Sequence, residues 1–168
     1  MIKKDVYLRF VMIMAIVLVL AACAGKERVI EGDVSFKYQV NNVHVIYGDA
    51  LNEEKTARLD KLKGKSMLAD EIQFQLQSAN RFQAAGDTKL DVTVTNFRIR
   101  SGASVFWLGM MAGVDVIDVS VAVVQNGQTI KTVTTGISTG LGGLAYASQD
   151  KRMKRMVDGL ARRVLYEL

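Results

Sequence analysis

An Asn-Gly pair stands between two runs rich in β-branched residues, and this feature constrains the fold more than any other stretch of the chain. Within residues 114–125, every second position from Ile117 to Val123 is β-branched. The pair Asn126-Gly127 follows, and Asn-Gly between alternating runs is the strongest short-range sign of a β-hairpin. The first strand then carries one face of β-branched residues, namely Ile117, Val119, Val121 and Val123.

The turn also predicts a register for the hairpin. A two-residue turn places Val123 opposite Ile130 and Val121 opposite Thr132. Residues that lie opposite each other in a hairpin share a face of the sheet. Thr132 and Thr134 are therefore predicted on the face of the valines, with Val133 on the other face.

Two further stretches alternate but change phase partway along. Residues 34–40 alternate, Asn41-Asn42 interrupts, and residues 43–47 continue in the opposite phase. A bulge or a two-residue hairpin explains such a change, and we favour one long bent strand. Residues 90–99 switch phase after Asn96, which predicts a bulge there.

Apolar residues at helical spacing predict two main helices. Ser66 is the expected N-cap of the first and Ser148 of the last. Residues 51–63 are predicted as a weak exposed helix or an ordered loop. The apolar face of the first main helix comprises Leu68, Ile72, Leu76, Ala79 and Phe82. That of the last comprises Met153, Met156, Val157, Leu160, Ala161, Val164, Leu165 and Leu168, and a solvated basic face carries Lys151, Arg152, Lys154, Arg155, Arg162 and Arg163.

The order of elements (strand, helix, three strands, helix) predicts the fold class. A helix with one apolar stripe must bury it against another element. We therefore expect an α+β fold over residues 34–168. It would be a two-layer domain with a mainly antiparallel sheet of about four strands and two main helices on one face.

The N-terminus has the layout of a secretory signal. Lys3, Lys4 and Arg9 give a positive start, and residues 10–22 carry no charge. Small residues follow where such signals are cut. The apolar run is shorter than the ~20 residues that a membrane span needs.

The end of this segment, Leu20-Ala21-Ala22-Cys23, resembles a bacterial lipobox. The resemblance implies signal cleavage between Ala22 and Cys23 and lipidation of the Cys23 sulfur. Residues 1–22 would be the signal peptide and residues 23–33 the lipidated N-terminus and tether. Ala24, where an Asp would favour the inner membrane, implies an outer-membrane anchor on the periplasmic face. The alternative is an ordinary secretory signal with a chance cysteine.

Composition excludes several classes of function. Without residues 1–22 the chain keeps 19 basic and 16 acidic residues, and this small surplus does not indicate a nucleic-acid partner. Cys23 is the only cysteine and His44 the only histidine, and Asp115 and Asp118 point to opposite faces with no partners nearby. We therefore expect no metal, no cofactor and no catalytic residues, and predict that the protein is not an enzyme.

Two glycine-rich segments are the best candidates for a contact surface. Residues 101–113 are uncharged and apolar, and residues 136–146 flank the same hairpin, so both loops are expected at one end of the domain. The side chains predicted to contact a partner or the membrane are Phe106, Trp107, Leu108, Met110, Met111, Leu141 and Tyr146. The alternative is that residues 101–113 fold over the core and bury their own aromatics.

The lipobox, the two glycine-rich segments, the Gly127 turn and the final amphipathic helix together resemble a family of bacterial lipoproteins of unknown function. The periplasmic domain of that family is thought similar to CsgG and to the N-terminal domain of TolB. The resemblance implies assembly or partner binding rather than catalysis. Beyond the membrane itself, the expected partner is an envelope protein or a second copy of the chain. An alternative is an accessory lipoprotein of a transport complex that binds lipid or another apolar ligand.

Overall fold

The computed structural model describes residues 38–101, 113–139 and 147–168. Four strands form one sheet in the order β1-β2-β3-β4, with β1 parallel to β2 and the other two pairings antiparallel. The predicted α+β fold is confirmed. In chain order the elements are β1 (Val40–Tyr47), α1 (Glu53–Lys61), α2 (Gly64–Ser78), β2 (Thr88–Arg98), β3 (Asp115–Gln125), β4 (Gln128–Thr139) and α3 (Gln149–Glu167).

The core lies between the sheet and the helices. α2 packs on β1, α3 packs on β4 and β3, and the two helices contact each other. Every second side chain of β2 and β3 points toward the helices, and burying one of that size stabilises the fold by ~1.5–3 kcal/mol. The apolar residues of β2 and β3 with at most 1% exposure are Leu90, Val92, Val94, Phe97, Ile117, Val119, Val121 and Val123.

The β3–β4 hairpin has the predicted turn but not the predicted register. Gln125 pairs with Gln128, yet Val123 lies opposite Lys131 because Ile130 is an extra residue in β4. This bulge reverses the phase of the strand beyond it. Val121 is therefore opposite Val133 rather than Thr132, and Thr132 and Thr134 lie on the exposed face instead of the valines' face.

The two predicted changes of phase in the other strands are bulges. The register of β1 on β2 shifts between Val40 and Asn42, and that of β2 on β3 shifts between Val94 and Asn96. The bulge at Asn96 keeps the residues on both sides of it pointing inward, as expected. Tyr38 and Gln39 precede β1 rather than extending it, and residues 34–37 lie outside the described part of the chain.

The start of α2 differs from the prediction. It begins at Gly64 after Lys63, which adopts left-handed backbone angles (φ 54°). Ser66 is not the cap, since its hydroxyl donates to the Lys63 carbonyl from inside the first turn. A Cβ at Gly64 would lie 2.2 Å from Leu59 Cδ1, so the glycine permits close packing of α1 on α2. Phe82 lies beyond the helix, opposite Val40 in an isolated bridge.

The other two helices begin at side-chain caps. Residues 53–61 do form a helix, α1, whose N-cap Asn52 accepts from the Lys55 amide at 3.0 Å. Ser148 caps α3 as predicted and accepts from the Lys151 amide at 3.4 Å. A capping oxygen satisfies one of the four amides that the first helical turn leaves unpaired.

Candidate functional site

A buried cluster of three charged side chains lies where β2 ends and β3 begins. Arg100 follows β2 by two residues, Asp115 is the first residue of β3, and Arg152 lies in the first turn of α3. Their side chains are 2%, 0% and 1% exposed. Charged side chains are almost never buried to this extent unless they are paired.

Asp115 is the centre of the cluster. Its Oδ1 accepts from the backbone amide of Arg100 at 2.8 Å and from Arg100 Nε at 3.0 Å. Its Oδ2 accepts from Arg152 Nη1 at 2.8 Å. Arg152 also donates through Nη2 to the Arg100 carbonyl. The carboxylate therefore joins two guanidinium groups that reach it from different elements.

The charges of the cluster do not balance, because two guanidinium groups share one carboxylate. Burial raises the pKa of Asp115, but hydrogen bonds from the Arg100 side chain and amide, and the charges of Arg152 and Arg100, outweigh it. The pKa of Asp115 consequently lies below its ordinary value. Arg152 Nε is buried and has no hydrogen-bond partner among the residues that the structure describes. Removing the carboxylate would leave two buried cations uncompensated, which is a costly state.

The cluster joins the ends of both glycine-rich segments. Arg100 Nη1 donates to the Gly113 carbonyl at 2.7 Å, which bridges the two ends of residues 102–112. The hydroxyl of Thr139, which precedes residues 140–146, lies 3.5 Å from Asp115 Oδ2. Gln149 Nε2, just after that segment, donates to the Arg100 carbonyl at 3.0 Å. The ends of both loops therefore meet at one end of the sheet, as predicted.

The predicted contact residues themselves lie outside the described part of the chain. This applies to the loop set, which is Phe106, Trp107, Leu108, Met110, Met111, Leu141 and Tyr146, and to Ala22 and Cys23 at the N-terminus. The structure describes the residues that border the two glycine-rich segments. The assignments of these residues stay predictions.

Two statements about the cluster residues were wrong. Asp115 was expected to have no partners, but it binds Arg100 and Arg152, which lie 15 and 37 residues away in sequence. Arg152 was placed on the solvated face of the last helix, yet it is 2% exposed. One signal existed: Arg152 precedes Met156 by four residues, so both lie on the buried side of α3.

The remaining polar features of the described residues are modest. The side chain of His44 is 63% exposed, and its Nδ1 lies 3.6 Å from Asp91 Oδ1. Within residues 38–101, 113–139 and 147–168 there is no group of three or more His, Cys, Asp or Glu side chains arranged to hold a metal ion. None of the helices described here is both long enough and apolar enough to cross a membrane.

Comparison with solved structures finds similar folds at low identity. The chain is similar to the hypothetical protein CT253 of Chlamydia trachomatis (12% identity, 76% of this chain and 95% of that one, TM-score 0.48). It is also similar to a candidate lipoprotein of Caulobacter crescentus (15%, 74% and 85%, TM-score 0.45). A third is a minor lipoprotein of Acinetobacter baumannii (12%, 75% and 90%, TM-score 0.41). At these scores the matches say nothing about what this chain binds.

No curated protein sequence matches the chain. The resemblance to CsgG and TolB stays a prediction. Residues 35–151 match the sequence profile of a domain of unknown function, DUF4410, and span most of the described domain. The chain therefore belongs to the DUF4410 family.

Proposed function

We propose that this protein is an outer-membrane lipoprotein, anchored through lipid on Cys23, that works as an interaction or assembly component of the cell envelope. The sequence Leu20-Ala21-Ala22-Cys23 behind an apolar signal supports the anchor. The proposed domain acts on the periplasmic face by contact with another protein. We further propose that it has no catalytic activity.

The buried Arg–Asp–Arg cluster is the observation that carries the proposal. It fixes the ends of two loops whose sequences concentrate glycine with large apolar residues, among them Trp107 and Tyr146. Aromatic side chains presented together from a rigid base are the usual anchors of protein interfaces. A buried ion pair of this kind adds little net stability compared with apolar packing, so its value here lies in placing the loops.

The alternative, a carrier of lipid or another apolar ligand, needs an enclosed apolar cavity of ~300–1,000 Å³. Two cavities along the described residues hold about 200 and 160 Å³. Polar side chains such as Asn41, Asp87 and Lys89 line the first, and Lys55, Arg58 and Arg98 contribute to the second. Neither of these two cavities has the size and the apolar lining that such a ligand needs.

The anchor is tested by blocking lipoprotein signal cleavage with globomycin in intact cells. The proposal expects the unprocessed precursor to accumulate and the mature chain to fractionate with the outer membrane. A matched Cys23→Ser chain should be released from the membrane or left unprocessed. A freely soluble mature chain that ignores globomycin would refute the anchor.

The contact surface is tested by crosslinking in intact cells, followed by identification of the captured partner. Trp107→Ser should reduce the yield of the crosslinked complex while the domain keeps its thermal midpoint. Phe74→Ser is the matched control, because Phe74 is an aromatic on α2 with 58% exposure. Equal yields from both variants, or unfolding of the Trp107 variant, would count against a contact role.

A further inference from the structure

We infer that the free edge of β4 is a second interaction surface, which accepts an extended, acidic peptide segment as an additional strand. β4 is the last strand of the sheet and pairs on one side only, with β3. Within the residues that the structure describes, no strand pairs with its outer edge. An edge strand presents a row of unpaired backbone groups that another chain can use.

The backbone groups that face this edge can be assigned. Arg163 Nη1 donates to the Gly136 carbonyl at 2.5 Å, so this carbonyl points away from β3. In an antiparallel pair, residues alternate between those bonded to the neighbouring strand and those directed outward. Thr132, Thr134 and Ser138 therefore also direct their amides and carbonyls toward the free edge, and all three are exposed.

Apart from the Arg163 side chain on the Gly136 carbonyl, β4 itself carries little of the usual protection against pairing over most of its length. Natural edges carry charged residues, proline or bulges that block another strand. β4 has its bulge at Ile130 and one lysine, Lys131, near its start. Residues 132–139 then run for eight positions without a charge or a proline. Four of these eight residues are threonine, whose branched side chain suits a strand.

Positive charges on α3 indicate which class of peptide fits the free edge of β4. Arg155, Gly159 and Arg163 are spaced four apart on α3 and form one row along the helix. A Cβ at Gly159 would lie 2.4 Å from Ile137 Cδ1, which places this row against β4. Both arginines are exposed. Arg163 therefore places its guanidinium at the free edge, with Arg155 two turns earlier in the same row and Lys131 near the start of β4. Cationic groups of this kind favour carboxylates on the incoming strand.

Two carboxylates belong to the surroundings of this positive flank. Glu167 follows Arg163 by one helical turn, at the end of α3 where Lys131 Nζ donates to the Glu167 carbonyl at 2.7 Å. A Cβ at Gly136 would lie 2.0 Å from Asp118 Oδ1, but Asp118 is on the face of the sheet opposite α3. There it accepts from Asn96 at 3.0 Å. A second copy pairing β4 to β4 would bring two such arginine rows together, and like charges disfavour that arrangement. The occupant that fits is an acidic segment of another protein.

The inference is tested with the full chain in phosphatidylcholine nanodiscs and two probe peptides of ~10 residues. One alternates valine with glutamate and the other valine with lysine. We expect the glutamate peptide to bind and the lysine peptide to bind at least about tenfold more weakly. Fluorescence anisotropy measures both. Equal binding of the two peptides, or no binding of either, overturns the inference.

Matched variants locate the surface. Thr134→Pro removes one outward amide and should weaken the glutamate peptide about tenfold, whereas Thr134→Val keeps the amide and should bind within about twofold of the parent. Arg163→Glu should also weaken binding of the glutamate peptide about tenfold. Arg162→Glu makes the same charge change outside the row of Arg155 and Arg163 and should not weaken binding. Circular dichroism confirms that each variant folds. Equal losses for Arg162→Glu and Arg163→Glu would show unspecific attraction and overturn the inference.

Two further outcomes are decisive. Trp107→Ser should leave peptide binding unchanged, so failure of the loop surface and failure of the β4 edge can be told apart. Sedimentation of the full chain should show no self-association through β4. A dimer that Thr134→Pro disrupts would identify a second copy as the occupant and overturn the acidic-peptide inference.

Discussion

The two ends of the β3–β4 hairpin are closed by different means. At one end Asn126 and Gly127 adopt positive φ angles of 51° and 78° and return the chain in two residues. At the other end Asp115 pairs with Thr139, and buried charges from β3 and α3 hold the ends of two long segments. The first closure depends on local backbone conformation alone, whereas the second depends on residues far apart in sequence.

This difference predicts where the molecule is sensitive to change. Substitution at the turn should cost only the strain of one or two residues. Substitution in the cluster should leave buried charges without partners. The end of the hairpin at the cluster, called the loop end, should therefore be more sensitive to substitution than the turn end.

Asp115→Asn should have the largest effect. It removes the carboxylate that both buried guanidinium groups contact and should lower the free energy of unfolding by about 3–5 kcal/mol. Urea unfolding measures the change. Asp118→Asn is the matched control on the same strand, and because Asp118 is only half-buried its loss should be below about 1 kcal/mol. Equal effects at the two positions would show that the loss does not come from the buried cluster.

Lowering the pH should have the next largest effect on stability, through the cluster at the loop end. The pKa of Asp115 is lower in the folded chain than its ordinary value, so the stability it contributes is complete above about pH 4. That stability is lost as the pH falls from there through the folded pKa. The pKa of Asp87, near the turn, is also lowered by hydrogen bonds from Gln125 and Thr88. Asp115→Asn should therefore reduce, without abolishing, the acid dependence of unfolding, and an unchanged acid dependence would contradict the assignment.

Gly127→Ala should have a smaller effect at the turn. A Cβ there meets nothing within 4 Å, so only the backbone angle is strained. Left-handed conformation costs an L-residue about 1–2 kcal/mol. Thermal unfolding measures this, with Gln128→Ala as an exposed control in the same hairpin. If the free energy of unfolding fell as much as for Asp115→Asn, the turn would contribute at least as much to stability as the cluster, contrary to the prediction.

Ser148→Ala should have the smallest effect of the series, although it lies beside the cluster. The hydroxyl accepts one amide at 3.4 Å, which is long for a cap. We expect a loss near 0.5 kcal/mol, at the low end for N-cap removal. The same urea titration measures it. A larger loss for Ser148→Ala than for Gly127→Ala would contradict this order. It would show that the Ser148 cap contributes more to stability than the glycine at the turn does.

Structural features that are determined by adjacent residues could be predicted from the sequence. The Asn126-Gly127 turn, the bulge at Asn96 and the Ser148 cap each follow from a few adjacent residues. The β3–β4 register failed because the bulge at Ile130 has no glycine or other local sign. The α2 cap failed because close packing of Gly64 on Leu59, rather than the Ser66 hydroxyl, fixes where the helix begins.

The cluster could not be predicted from local pattern. Arg152 donates to a carbonyl 52 residues away, and the partners meet only once the sheet has formed. A charged residue in a helix is exposed more often than buried. The pattern alone therefore predicts that all the basic residues of α3 lie on its solvated face. The phase of Arg152 relative to Met156 was the available sign.

Amide hydrogen exchange in the full chain tests the central claim most directly. Exchange is compared between the parent and Asp115→Asn under conditions in which both are folded, so that local opening is measured. We expect faster exchange at Arg100, Ser101, Gly113 and Thr139, and unchanged exchange at Asn126 and Gly127. Uniform acceleration across both ends, or none at the loop ends, would contradict the claim that the buried charges hold the two loops in place.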